Sequence, residues 1–331
     1  MVYQDIDIPL PAFIAIDFVG LTLALIPITL RFWLRRREVR PQPLLRNISD
    51  GLIVLAWLAG LALISINAWK NTLRERYLHD PPKELYYGVP RDLSGHLLYV
   101  SWISLFFIYI SLWASKFALI AFFASVLQLM ETRLSRLIIA FATLYTTSTF
   151  VLHIALLTRW CHPVSRNWDI NNHLCSAVHD IRSVSISTAA NISTDLVILA
   201  LPLFALTSLS RGRRARTMDT SMTKAEWSGF ALVIAIAALS IVAALVRWVT
   251  LKLVENVPRA NITHTIDVWA LVEIVASLLA ACLPSLRSCV RKSRRGGCCR
   301  RRAVSSGLSL EMLTSHRKES EATVRSQTAS V

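Results

Sequence analysis

Five ionisable residues, Asp17, Lys116, Asp195, Arg247 and Glu273, sit within long apolar stretches of the sequence. A charge placed in hydrocarbon costs about 2.5–3.5 kcal/mol on insertion scales, so each is a candidate functional group that should face a bundle interior and find a partner. At a rise of about 1.5 Å per residue, Arg247 and Glu273 each lie about six or seven residues from the same side of the membrane, and they are expected to pair. Lys116 and Asp50 come out toward the opposite side as a second expected pair. Asp195 falls near the middle of its segment, where no Lys or Arg is expected at its depth. It should therefore be protonated, hydrogen-bonded or binding a cation.

Helical phase groups these residues with polar and aromatic neighbours. Ser187, Asn191 and Asp195 recur every four residues, Tyr109, Trp113 and Lys116 form a second stripe, and Trp269, Glu273 and Ser277 a third. Such stripes face inward in a bundle. The expected ligand cavity is lined by Tyr109, Trp113, Asn191, Asp195 and Trp269, with Lys116, Arg247 and Glu273 supplying charge. The competing role is structural, since interhelical hydrogen bonds are worth about 0.6 kcal/mol each on average.

Other chemistry is less well supported. His162, His173 and His179 share the loop that also holds Cys161 and Cys175, but their spacing matches no helix face and no zinc-ligand pattern. Of the eight histidines only His153 is expected inside a membrane segment, which argues against a membrane metallohydrolase. Neither a phosphate loop, a nucleophile elbow nor an HExxH motif is present. A retinal pigment needs a lysine in its last helix, and the last apolar segment has none. The expectation is a protein that is not an enzyme and carries no cofactor or metal.

The elements that must position these residues follow from composition. Of 331 residues 54% are hydrophobic and 17% charged, and the mean hydropathy is +0.48. A soluble domain has about 25% charged residues. A membrane helix needs about 20 mostly apolar residues, and seven segments qualify: Pro9–Leu30, Ile48–Trp69, Leu97–Val126, Leu134–Leu157, Val184–Leu209, Trp227–Leu253 and Ile266–Cys289. The third exceeds one crossing, but it lacks turn residues and is read as one long tilted helix. The first lacks a basic start and contains Asp17, so it reads as an uncleaved helix rather than a signal peptide. The expected fold is an all-α bundle of seven membrane helices over residues 1–292, followed by a disordered, basic, Ser/Thr-rich tail over residues 293–331.

Positive residues near helix ends stay on the cytoplasmic side. One set of connections holds 24 Lys and Arg and the other ten. The N-terminus is thus expected outside and the C-terminus in the cytosol. Cys161 and Cys175 then lie on the oxidising side and are expected to be bridged, the alternative being two free thiols. A loop of about 15 residues closed this way is worth about 3 kcal/mol in the chain-entropy model. Of three sequons, Asn261 is the expected glycosylation site, with Asn47 cytosolic and Asn191 buried. Cys298 and Cys299, flanked by seven Lys or Arg in RKSRRGGCCRRR, are expected to be palmitoylated.

Four passages resemble the fungal rhodopsin-domain family, a group of seven-helix membrane proteins of filamentous fungi that includes Pth-type receptor-like proteins. They are Tyr109 with Lys116; Cys161, Pro163, Trp168 and Cys175; Asn191-Ile-Ser-Thr-Asp195 followed by Leu201-Pro202; and Trp269, Glu273 and Cys282-Leu283-Pro284. Asp50 matches an acidic position at the start of the family's second helix. The chain departs from the family's Gly-x-Gly-x-His run, keeping only Gly95-His96, and carries Phe117-Ala118 after Lys116. The resemblance implies the fold and does not imply retinal.

The function expected from these features is that of a receptor-like sensor of the G-protein-coupled-receptor type in the plasma membrane. Its partners would be the lipid bilayer, an unknown small-molecule or surface ligand and a G-protein subunit, with no nucleic acid. The alternative is an ion- or proton-coupled transporter using the buried charges as a relay.

Overall fold

The computed structural model describes residues 10–36, 44–77, 85–127, 133–170, 175, 180–214, 224–254 and 267–283. Asn261, Cys298, Cys299 and the expected tail lie outside these. The helices are α1 (Leu10–Leu23), α2 (Leu25–Arg36), α3 (Leu44–Arg76), α4 (Arg91–Leu127), α5 (Arg133–Arg159), α6 (Ile181–Arg214), α7 (Lys224–Val254) and α8 (residues 267–283). α1 and α2 are separated only at Ala24, whose N–H reaches the Gly20 carbonyl at 3.4 Å, and they form one apolar span over Pro11–Arg36. Five helices among the described residues are long and apolar enough to cross a membrane, and Ile234–Thr250 is a shorter apolar helix. The long third segment is one helix, as its lack of turn residues predicts.

The distribution of side chains is that of a protein whose solvent is lipid. On α5, Leu134, Leu137, Phe141, Leu144 and Val151 are exposed along one stripe, while Thr146, Thr149 and His153 are buried on the other side. Apolar side chains gain nothing by leaving lipid, so the interior is free to collect the polar ones. α4 is the most enclosed span, with 61% of its apolar window buried against 22–39% for the other long spans. One apolar cluster joins α1, α3, α4 and α8 through Leu21, Ile53, Leu63, Leu112, Ile274 and Leu278. A second joins α4, α5 and α6 through Ile120, Phe122, Phe123, Ala142, Ile198 and Leu201. Gly60 lets the first close up, since a Cβ there would stand 3.3 Å from Leu21 Cδ1 and 3.5 Å from Ile274 Cγ2.

At one end, Cys161 and Cys175 form a disulfide with Cα atoms 5.9 Å apart. The loop it closes places Trp168 against Tyr99 at 4.9 Å and Trp102 at 5.4 Å between ring centroids. Beside it, strands β1 (Leu85–Tyr86) and β2 (Val89–Pro90) pair antiparallel around Tyr87 and Gly88. Both turn residues have positive φ, 58° and 83°, as a two-residue hairpin turn requires and as glycine permits at Gly88.

The opposite end is closed by charge. Arg31 Nε donates to Asp50 Oδ1 at 2.9 Å, Nη1 to the Ala281 carbonyl at 2.9 Å and Nη2 to Ser49 Oγ at 2.8 Å. Ser49 Oγ in turn donates to the Ala118 carbonyl at 2.7 Å, and Arg35 forms the second ion pair of Asp50. Asp50 therefore does not pair with Lys116 as expected. Two arginines one helical turn apart on α2 reach it first. Replacing Asp50 by Asn strips the counter-charge from both guanidinium groups and should cost about 3–5 kcal/mol. Arg35→Met leaves the Arg31–Asp50 pair intact and should cost less. Thermal unfolding in detergent ranks the two, and equal losses would show that Asp50 is not what holds Arg31.

Candidate functional site

Mid-bundle, the buried polar residues of α4, α6, α7 and α8 form one continuous chain. Lys116 is 4% exposed, and its ammonium has three hydrogens to place. It pairs with Asp195 Oδ1 at 2.9 Å and donates to Asn191 Oδ1 at 2.6 Å and to the Asn191 carbonyl at 3.1 Å. All three donors are thus used. Asn191 Nδ2 donates to Glu273 Oε1, and Glu273 Oε2 lies 3.4 Å from Arg247 Nη2. The order Asp195, Lys116, Asn191, Glu273, Arg247 alternates acceptor and donor and sums to zero charge. An amide is the group that can stand between a cation and an anion, giving its oxygen to one and its hydrogens to the other.

The expected pairing of Arg247 with Glu273 is present in the geometry. Contrary to expectation, a cation does reach the depth of Asp195, and it is Lys116. Counting residues along a helix places its Cα, but the long lysine stem carries the ammonium toward α6, away from Asp50. Asn191 and Asp195, four residues apart, present adjacent groups on one face of α6 to receive it.

The aromatic part of the site is assembled around a residue that sequence reasoning placed in a helix without giving it a role. His153, fully buried, stands 4.3 Å from the Trp113 ring and 4.7 Å from the Tyr109 ring. Its Nδ1 is 2.7 Å from the Thr149 carbonyl and its Nε2 3.1 Å from that of Ser187. Tyr109 Oη is 3.1 Å from Ser187 Oγ, and Trp113 Nε1 donates to the Thr146 carbonyl at 3.0 Å. Lys116 Nζ sits 4.8 Å from the Trp113 ring centroid, so the aromatic group and the charged chain meet at α4. The signal for His153 was its alignment with Thr146 and Thr149 at helical spacing. Trp269 is half-buried on α8.

A cavity of about 40 Å³ borders the ion pair, lined among others by Lys116, Asp195, Pro202, Ser240 and Ser277. Pro202 lies within α6 and has no N–H to give the Ile198 carbonyl, which opens the helix where the cavity forms. Asp195 Oδ2 and Ser240 Oγ are buried there without a hydrogen-bond partner among the described residues. The space suits water or a small ion and is far below the few hundred Å3 of a drug-sized site. No cluster of metal ligands occurs among the described residues.

The Arg247–Glu273 contact is testable by a double-mutant cycle. Arg247→Met and Glu273→Gln should each destabilise the detergent-solubilised protein, because each leaves the opposite charge buried and unmatched. The double variant should lose less than the sum of the singles by about 1–3 kcal/mol, whereas additive losses would mean that the pair is not coupled.

No match was found among curated proteins or among solved structures. The fungal rhodopsin domain matches residues 30–292, which takes in the Arg31–Asp50 closure, the disulfide loop and the entire charged chain. The family resemblance carried by Lys116, Asp195 and Glu273 thus extends over most of the sequence, and the chain belongs to the fungal rhodopsin-domain family of integral membrane proteins.

Proposed function

We propose that this is a receptor-like sensor of the G-protein-coupled-receptor type, with seven membrane helices, its N-terminus outside, its C-terminus in the cytosol and the plasma membrane as its site. The observation that carries the reading is the neutral chain from Asp195 to Arg247, which ties four helices together at mid-bundle. A network of this kind has two arrangements, closed and broken, and any ligand that binds one better shifts the population toward it. Orientation is supported by the 24 basic residues on one set of connections against ten on the other. The inner surface so defined is cationic and suits an acidic subunit face.

Ion- or proton-coupled transport is the second reading, favoured by the small cavity in which Asp195 Oδ2 and Ser240 Oγ stand beside the Lys116 ion pair. Two measurements separate them. For a sensor, the full chain retains a G-protein α subunit from the host set in a pull-down, and Asp195→Asn alters that retention while expression holds. For a transporter, proteoliposomes show proton or cation flux that Asp195→Asn abolishes. Flux without subunit retention would overturn the sensor reading.

A further inference from the structure

A second buried polar cluster lies at the disulfide end, between α1, α3 and α8, and belongs neither to the charged chain nor to the closure at the other end. Asn67, Lys70, Asn71 and Arg74 occupy one face of α3 at spacings of three and four residues, and the first three are only 3%, 5% and 2% exposed. Asp17 of α1, 2% exposed, and Asp267 at the start of α8 complete the group. Asp267 is within electrostatic range of Asp17, Lys70 and Arg74. Two carboxylates and two cations give no net formal charge.

Part of the hydrogen-bonding capacity of this cluster is unused. Asp17 Oδ1, Asn67 Oδ1, both amide atoms of Asn71 and Arg74 Nη1 are buried with no hydrogen-bond partner among the described residues. Native structures seldom leave such groups unpaired, and a concentration of them calls for an occupant. The chemistry of the walls restricts what it is. A lone anion would meet two carboxylates, and a lone cation would meet Lys70 and Arg74. Donors and acceptors are both left over, in a group whose charges cancel. We propose that this cluster is a binding site for a small zwitterion of the α-amino-acid class, with its ammonium at Asp17 Oδ1 and Asn67 Oδ1 and its carboxylate at Arg74 Nη1 and Asn71 Nδ2. Arg74 also donates from Nε to the Tyr87 carbonyl at 3.2 Å, which sets the site directly under the β1–β2 hairpin. The inference is independent of the sensor reading, because the two share α8 but no residue.

The test uses the full chain in lipid nanodiscs and the twenty common amino acids as probes. At least one, at about 10 mM, should raise the unfolding temperature, since a ligand that binds only the folded state stabilises it by mass action. The matching amino-acid amide, which lacks the carboxylate, and the N-acetyl derivative, which lacks the ammonium, should not. Asp17→Asn and Asn71→Ala should each weaken the effect by about tenfold in the concentration required. Leu144→Ala on the lipid face of α5 should leave it unchanged. If Asp17→Asn does not fold, Asn71→Ala and the two blocked ligands still decide the matter. No shift with any amino acid, or equal shifts with the blocked derivatives, would mean that the cluster holds water only and would overturn the proposal.

Discussion

The ammonium of Lys116, on a side chain only 4% exposed, has to be neutralised inside the bundle, and much of the interior is arranged around that requirement. Its aliphatic stem crosses from α4 to α6, and every one of its hydrogens is spent on Asn191 or Asp195. An isolated buried charge would be expelled or would lose its proton, so the partner set must be complete. Completion draws in further groups. Asn191 uses its oxygen on Lys116 and then must place its N–H on Glu273, which is only 1% exposed and needs a cation of its own in Arg247. One buried lysine therefore commits four helices.

The two ends of the bundle are held by different physics. The disulfide end relies on covalent closure and aromatic packing, with Trp168 set on Tyr99 and Trp102. Aromatic rings with a polar edge suit the boundary between lipid and water. The far end relies on Arg31, whose fork reaches a carboxylate, a hydroxyl and a backbone carbonyl on two other helices. Arginine is suited to this because its planar, rigid donors meet several acceptors at once, whereas a lysine would offer a single point of charge.

The fold was legible because its signal is long and redundant. Twenty apolar residues in a row have few alternatives, and α3 to α7 run past the apolar limits in both directions, as α3 does from Ile48–Trp69 to Leu44–Arg76. Those extensions are polar, and hydropathy is blind to them. They hold Lys70, Asn71 and Arg74, so the cluster at the disulfide end went unnoticed although Asp17 was singled out. Within the site, residues paired by depth alone divided evenly: Arg247 met Glu273, but Lys116 met Asp195 instead of Asp50. Depth is a property of the Cα position, whereas partner choice depends on the direction in which a long side chain leaves the helix and on which helices are neighbours. Neither is written in one sequence. His153 was passed over for a related reason, since a lone histidine acquires meaning only when the rings of Tyr109 and Trp113 are seen to enclose it.

The mid-bundle chain and the closure at the far end are not separate devices, because they grip the same two helices. On α4, Lys116 belongs to the first and the Ala118 carbonyl, two residues on, accepts Ser49 of the second. On α8, Glu273 belongs to the first and the Ala281 carbonyl, about two turns on, accepts Arg31. A shift of α4 against α8 would therefore strain both sets of hydrogen bonds together. Packed interfaces of this sort move between discrete arrangements more readily than they deform. Pro202 removes one rung from α6, and the cavity beside it borders Asp195 and Ser240. The place where the helix ladder is already broken lies two turns from the residue that anchors Lys116, so a bend of α6 there would act first on the ion pair and, through α4, on the Ser49–Ala118 contact of the closure.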